Sequence, residues 1–114
     1  NFPKHINLLA TPDLYQPLKC TLSALNNTSK IKGLQTLKDK ETNRIMAVEN
    51  ELKKLSSNKI IETYKDHRMA MSFAPLSLKF GELIIKDVEV VSKSYPNFWE
   101  DLQKGGFTIV PSTD

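Results

Sequence analysis

The chain has 114 residues, of which 39% are apolar and 25% charged, with a net charge of +3. That is enough for one small domain with a single core, in the composition of an ordinary globular protein. No apolar run approaches the roughly 20 residues that span a bilayer, and the mild, dispersed positive charge suits small anions rather than nucleic acid.

The first residues, Asn1-Phe2-Pro3-Lys4-His5, show no basic region leading into a long apolar one, so no signal peptide is expected. The missing initiator Met points to a chain that begins mid-protein. The one cysteine, Cys20, excludes an intrachain disulfide and fits a reducing cytoplasm. It lies among leucines and is expected to be buried and inert. With two distant histidines it makes no zinc site.

Residues Ile6 to Leu9 read as a short strand. Thr11-Pro12-Asp13 breaks it, and Asp13 with Gln16 has the spacing of a capping box for a helix reaching about Asn26. Leu14, Leu18, Leu22 and Leu25 mark one face of that helix. After the loop Asn26 to Ser29, a strand is expected over Ile31 to Leu37. A second helix should run from about Lys40 to Leu55, with Ile45, Val48, Leu52 and Leu55 inward and a Glu49–Lys53 pair outside. A third opens at Asp66 and runs to about Lys79. Met69, Met71, Phe73, Leu76 and Leu78 make it apolar nearly all round, which places it deep in the core. Leu83 to Ile85 is a strand, Pro96 to Lys104 a helix stopped by Gly105-Gly106, and Phe107 to Val110 a closing strand. Strands alternating with helices give an α/β fold.

Four expected helix starts carry charge: Asp13; Lys40, Glu41 and Arg44; Asp66, His67 and Arg68; and Lys93 with Ser94. Helix N-termini offer free N–H groups and positive potential, so starts gathered on one side would hold a multiply charged anion. Taken singly, each has a plainer reading. Asp13 is a helix cap, Lys40 to Arg44 a solvated turn, His67 a structural histidine, Arg68 a surface ion pair, Lys93 a loop lysine.

Tyr64-Lys65-Asp66-His67-Arg68-Met69-Ala70-Met71, with Lys40-Glu41-Thr42-Asn43-Arg44 upstream and Val91-Ser92-Lys93-Ser94-Tyr95-Pro96 downstream, resembles the C-terminal part of the 5-enolpyruvylshikimate-3-phosphate synthase (EPSP synthase) family. The resemblance runs from about Thr11 to Phe107. It implies part of an enolpyruvyl transferase domain built from βαβαββ units, with residues 1–114 a single partial domain. The parent would be a monomeric cytoplasmic enzyme with two domains and the active site between them. It would move the enolpyruvyl group of phosphoenolpyruvate to the 5-hydroxyl of shikimate 3-phosphate and release phosphate, without metal or organic cofactor.

By the same resemblance, Arg44, Arg68 and Lys93 hold phosphoenolpyruvate. Asp13, Thr36 and Lys40 contact shikimate 3-phosphate, Asp13 and Glu41 move protons, and His67 lies beside the site. Asn43 stands where the family usually has aspartate, and Tyr15 and Pro17 where it has smaller or hydroxylated residues. The hairpin expected between Leu55 and Thr63 is missing, so the junction over 56–62 is short or deleted. The related UDP-N-acetylglucosamine enolpyruvyl transferase shares fold and donor, but Lys40-Glu41-Thr42 and Asp66-His67-Arg68 favour the shikimate branch. A non-catalytic, partner-complementing module is the other reading of the isolated chain.

Overall fold

A computed structural model describes residues 4–26, 30–34 and 43–110. Two strand–helix–strand units make up most of it. In the first, β1 (His5–Asn7) and β2 (Lys30–Lys32) pair in parallel, Ile6 opposite Ile31, with α1 (Tyr15–Ala24) between them in sequence. In the second, β3 (Ile60–Ile61) pairs in parallel with β4 (Ile84–Ile85), and α3 (His67–Phe73) and α4 (Ser77–Phe80) lie between. Parallel partners cannot be joined by a tight turn, so each pair needs such a crossover. Helix α2 (Arg44–Lys54) links the two units, and α5 (Phe98–Lys104) closes the described chain. The expected α/β class is the one that forms.

Helix α3 is buried on two sides, as its composition requires. Met69 and Phe73 sit in a cluster with Leu8, Tyr15, Val48 and Ile61, while Ala70 faces a second cluster with Ala74, Val91 and Phe98. Beyond Phe73 the helix tightens into a 3-10 turn, Ala74–Leu76, at Pro75, whose missing N–H interrupts the α ladder. Phe98 is fixed by edge-to-face contacts with Tyr95 and Trp99 at centroid distances of 5.6 and 4.8 Å.

Several expected features differ. Asp13 does not cap α1 and makes no capping box with Gln16. It lies inside a 3-10 turn, Pro12–Leu14, and α1 starts at Tyr15 with no side-chain cap. Leu14 therefore falls outside the α-helical spacing and Leu25 past the helix end, and both are exposed. Leu18 and Leu22 face inward as expected, joined by Tyr15, Gln16 and Cys20. Burial pushes the Cys20 thiol up to about 12, so it is protonated and inert at neutral pH.

Asn43 caps α2, its Oδ1 accepting from Met46 N at 3.3 Å; residues 40–42 of the expected helix lie outside the described ones. The buried face of α2 is Arg44, Ala47, Val48 and Glu51, and the ion pair on it is Lys54–Glu51 at 2.6 Å rather than Glu49–Lys53. The stretch after α2 is no open linker. Ser57 N and Asn58 N return to Lys54 O, Asn58 Oδ1 accepts from Ile60 N at 2.9 Å, and β3 follows at once. Phe107 to Val110 is irregular, not a strand; among the described residues it has no partner strand to take its backbone groups. Of the strand expected over 31–37, residues 35–37 lie outside the described ones.

Leu78, expected in the core, is instead 82% exposed, because the expected helix is broken at the Ala74–Leu76 turn; with Leu25 (56%) it stands on an open apolar groove whose lining includes Cys20, Met71 and Pro75. No helix among the described residues is long and apolar enough to cross a membrane.

Gly33 ends β2 with φ +80°, and a Cβ there would collide with Leu9 N and with the Asn7 Oδ1 that accepts from it. Gly81 has the same φ but open space around it. Gly81→Ala should cost about 1–3 kcal/mol, because φ 80° with ψ −154° is open essentially to glycine alone. Gly33→Ala adds about 1–3 kcal/mol of overpacking to the strain of its own positive φ. Urea unfolding of the two variants should show this ranking.

Candidate active site

The β3–α3 connection is a sharp reversal. Thr63 Oγ1 donates to Lys86 O at 3.0 Å, Asp66 N donates to Thr63 O at 2.8 Å, and between them Tyr64 and Lys65 both take left-handed backbone, φ 56° and 57°. Each costs about 1–2 kcal/mol for a residue with a Cβ. The reversal leaves Asp66 extended, as the N-cap of α3, with Oδ1 accepting from Arg68 N at 2.9 Å.

The other oxygen of Asp66 does the wider work. Oδ2 accepts from Arg44 Nε at 2.9 Å and from Gln16 Nε2 at 3.2 Å, and the side chain is fully buried. Asp66 thus ties the first turns of α1, α2 and α3 together. The Arg44 side chain, only 4% exposed, continues to Asp13 Oδ1 at 3.1 Å. Asp13 Oδ2 reaches Arg68 Nη2 at 3.5 Å. The order is Asp66, Arg44, Asp13, Arg68: two carboxylates alternating with two guanidiniums. It runs from a closed interior to a rim where Asp13 is 48% and Arg68 35% exposed. The carboxyl ends of β1 and β3 lead to Asp13 and Asp66, which is where ligands bind in open α/β sheets.

Guanidinium forks match carboxylate and phosphate, and of the two arginines Arg68 is the one at the rim, with Arg44 buried behind Asp13. They are held unequally. Arg44 is buried against Asp66 in a short contact. Arg68 has a long, half-exposed contact of a kind worth about 0–1 kcal/mol, so a ligand carboxylate can replace Asp13 on it at small cost.

Of the residues singled out in the sequence, Asp13, Arg44 and Arg68 are brought into one chain of ion pairs. His67 opens α3 beside them, half-buried. Lys93 is exposed in the turn after the 3-10 helix Val88–Val91, not at a helix start, and forms no ion pair among the described residues. Thr36, Lys40 and Glu41 lie outside the described residues. The missing negative charge at Asn43 does not leave Arg44 loose, since Asp66 and Asp13 orient it. No group of three or more His, Cys, Asp or Glu among the described residues could hold a metal ion.

A family model described as EPSP synthase (3-phosphoshikimate 1-carboxyvinyltransferase) matches residues 56–102, which include Asp66, Arg68 and Lys93. A Bacteroides fragilis protein named 3-phosphoshikimate 1-carboxyvinyltransferase is 41% identical over 119 residues, covering 86% of this chain and 29% of that protein. Proteins of the same name from Syntrophobacter fumaroxidans and Aquifex aeolicus are 34% and 38% identical, over 90% and 77% of this chain and 29% and 25% of their own lengths. The chain belongs to the EPSP synthase family. It spans less than a third of the length of these relatives. The Bacteroides fragilis alignment runs over more positions than this chain has residues while covering only 86% of it, so that EPSP synthase relative carries residues within the matched span that this chain lacks.

Sequence reasoning passed over three residues that organise the site. Asp66 is visible in the sequence as a charged helix start, but not as the buried partner of Arg44 and Gln16. Gln16 reads as half of a capping box; instead it is buried against Asp66, and its Oε1 has no partner among the described residues. Glu51 is given no role by the sequence, yet it is 1% exposed and accepts from Glu62 N at 2.9 Å and Tyr64 Oη at 2.7 Å. The Tyr64 phenol is held above its ordinary pKa by burial first and by Glu51 second.

Asp66→Asn removes the charge opposite a buried arginine. Losing one partner of a buried pair costs about 3–5 kcal/mol, and the Asp13 contact that Arg44 keeps puts the expected loss near the lower end. Urea or thermal unfolding of the variant measures it.

Proposed function

We propose that this chain is part of an EPSP synthase. The whole protein would transfer the enolpyruvyl group of phosphoenolpyruvate to the 5-hydroxyl of shikimate 3-phosphate in the cytoplasm. The observation that carries this reading is the pair Arg44 and Arg68, spaced by Asp13 at the starts of α2 and α3. In this reading the donor carboxylate takes the guanidiniums, Arg68 foremost, and Lys93 lies toward the donor phosphate. Asp13 contacts the ring hydroxyls of the acceptor with Thr36 and Lys40, and acts as the base. Glu41 delivers a proton toward C3 of phosphoenolpyruvate, and His67 stands beside them.

The present geometry adds a coupling. Both oxygens of Asp13 are engaged by guanidinium N–H groups, and each keeps a second lone pair that can accept from a substrate hydroxyl. The 3.5 Å bond to Arg68 is the weaker. A donor carboxylate that captures Arg68 would free Asp13 Oδ2 further for the acceptor. The chemistry then needs one base, one acid and electrostatic clamps, and electrostatic stabilisation is usually the largest contribution.

Residues 1–114 would form a single partial domain with a shortened junction over 56–62. The exposed Leu25 and Leu78 on an apolar groove, and relatives more than three times as long, support this. Half of a cleft does not position both substrates, and positioning can supply roughly 7–11 kcal/mol of the barrier. The isolated chain should therefore release no phosphate from phosphoenolpyruvate in a shikimate 3-phosphate-dependent way; steady release from chain free of host enzyme would refute this. In the complete enzyme, Arg68→Lys keeps the charge and loses the fork. A charge-assisted bond is worth about 1.5–3 kcal/mol, so kcat/KM for the donor should drop roughly tenfold to a hundredfold. Unchanged donor kinetics in a folded variant would reduce Arg68 to a structural residue.

A further inference from the structure

Helix α2 grips the β3–α3 connection at two points. Arg44, its first residue, holds Asp66. Two turns later on the same buried face, Glu51 holds the near side of the reversal. Its Oε1 takes Glu62 N at 2.9 Å and Lys54 Nζ at 2.6 Å, and its Oε2 takes the Tyr64 hydroxyl at 2.7 Å. Between the two grips lie Tyr64 and Lys65, the only consecutive non-glycine residues with positive φ among the described ones. A buried carboxylate is costly unless fully bonded, and among the described residues Glu51 is bonded only to α2 itself and to this connection. Strained backbone persists where its surroundings over-determine it.

We propose that Glu51, acting through Tyr64, is a positioning residue that holds the left-handed turn and so delivers Asp66 and Arg68 to the anion-binding rim. Glu51 touches no ligand in this scheme. It sets where α3 begins: releasing the turn would let Tyr64 and Lys65 relax to negative φ and displace Asp66 from its cap and from Arg44. That the delivered residues serve phosphoenolpyruvate rests on the enzyme reading above; the latch itself does not.

The test is amide hydrogen exchange of the 114-residue chain, read by NMR. Tyr64→Phe removes one hydroxyl and leaves the fold's packing in place, whereas Glu51→Gln also discharges the buried pair. Loss of a hydrogen bond to a charged group should lower protection of the Asp66 and Arg68 amides roughly tenfold to a hundredfold in Tyr64→Phe, with the α5 amides unchanged. Adding Lys65→Gly to Tyr64→Phe should restore much of that protection, because glycine takes positive φ without a Cβ penalty. Unchanged protection at Asp66 and Arg68, a uniform loss across all helices, or failure of the glycine rescue would each overturn the proposal. Exchange needs no substrate, so its failure would leave the enzyme reading standing. Failure of the Arg68→Lys kinetics would leave the latch standing.

Discussion

A carboxylate removed from water has to be matched, and the matching of Asp66 organises this molecule. One oxygen is spent on the first turn of α3, the other on Arg44 and Gln16. Three helices that share no local sequence are thereby registered to one another at their N-terminal ends. Apolar packing alone would not do this. The Met69 and Phe73 cluster supplies cohesion but tolerates sliding, whereas a fork 2.9 Å from one oxygen has a single solution. Replacing such a buried pair by apolar residues is often neutral for stability or better, so what this pair adds over apolar packing is defined geometry.

Helix α2 shows how such a site is built into a core. Its inward face begins with a cation, passes through Ala47 and Val48, and continues to an anion at Glu51. The apolar middle anchors the helix, and the charged ends set the connection that carries Asp66 and Arg68. The strain at Tyr64 and Lys65 belongs with this arrangement: a short reversal brings α3 in with its first turn already pointed at α1 and α2.

Much of this was legible in the sequence, and the failures share one cause. The α/β alternation, the doubly buried α3 and the burial of Cys20 follow from patterns of apolar residues. The expected stripe of α2 does face the core, with Val48 and Leu55 buried and Ile45 and Leu52 packed against it, but Arg44 and Glu51 also take inward positions that hydrophobic periodicity counts as outward. Gln16 was misassigned in the same way. The α1 stripe holds at Leu18 and Leu22 and fails at its ends: the turn before the helix is 3-10, so Leu14 does not share its spacing, and Leu25 lies past its end. Buried polar residues are known by their partners, which lie 22 and 50 positions away for Arg44 and Gln16, and no local window contains them. Arg68 stood out only because its motif is familiar; its contact with Asp13 spans 55 positions.

The gradient of exposure from Asp66 to Arg68 also sorts the two arginines by their response to ionic strength. At physiological salt the Debye length is about 8 Å, and screening acts on exposed charges far more than on buried ones. Added salt therefore loosens the Arg68–Asp13 contact while leaving Arg44–Asp66 nearly untouched. The inner pair behaves as part of the scaffold under all ordinary buffers, and the outer pair as a mobile counter-ion exchange point whose occupancy follows the medium.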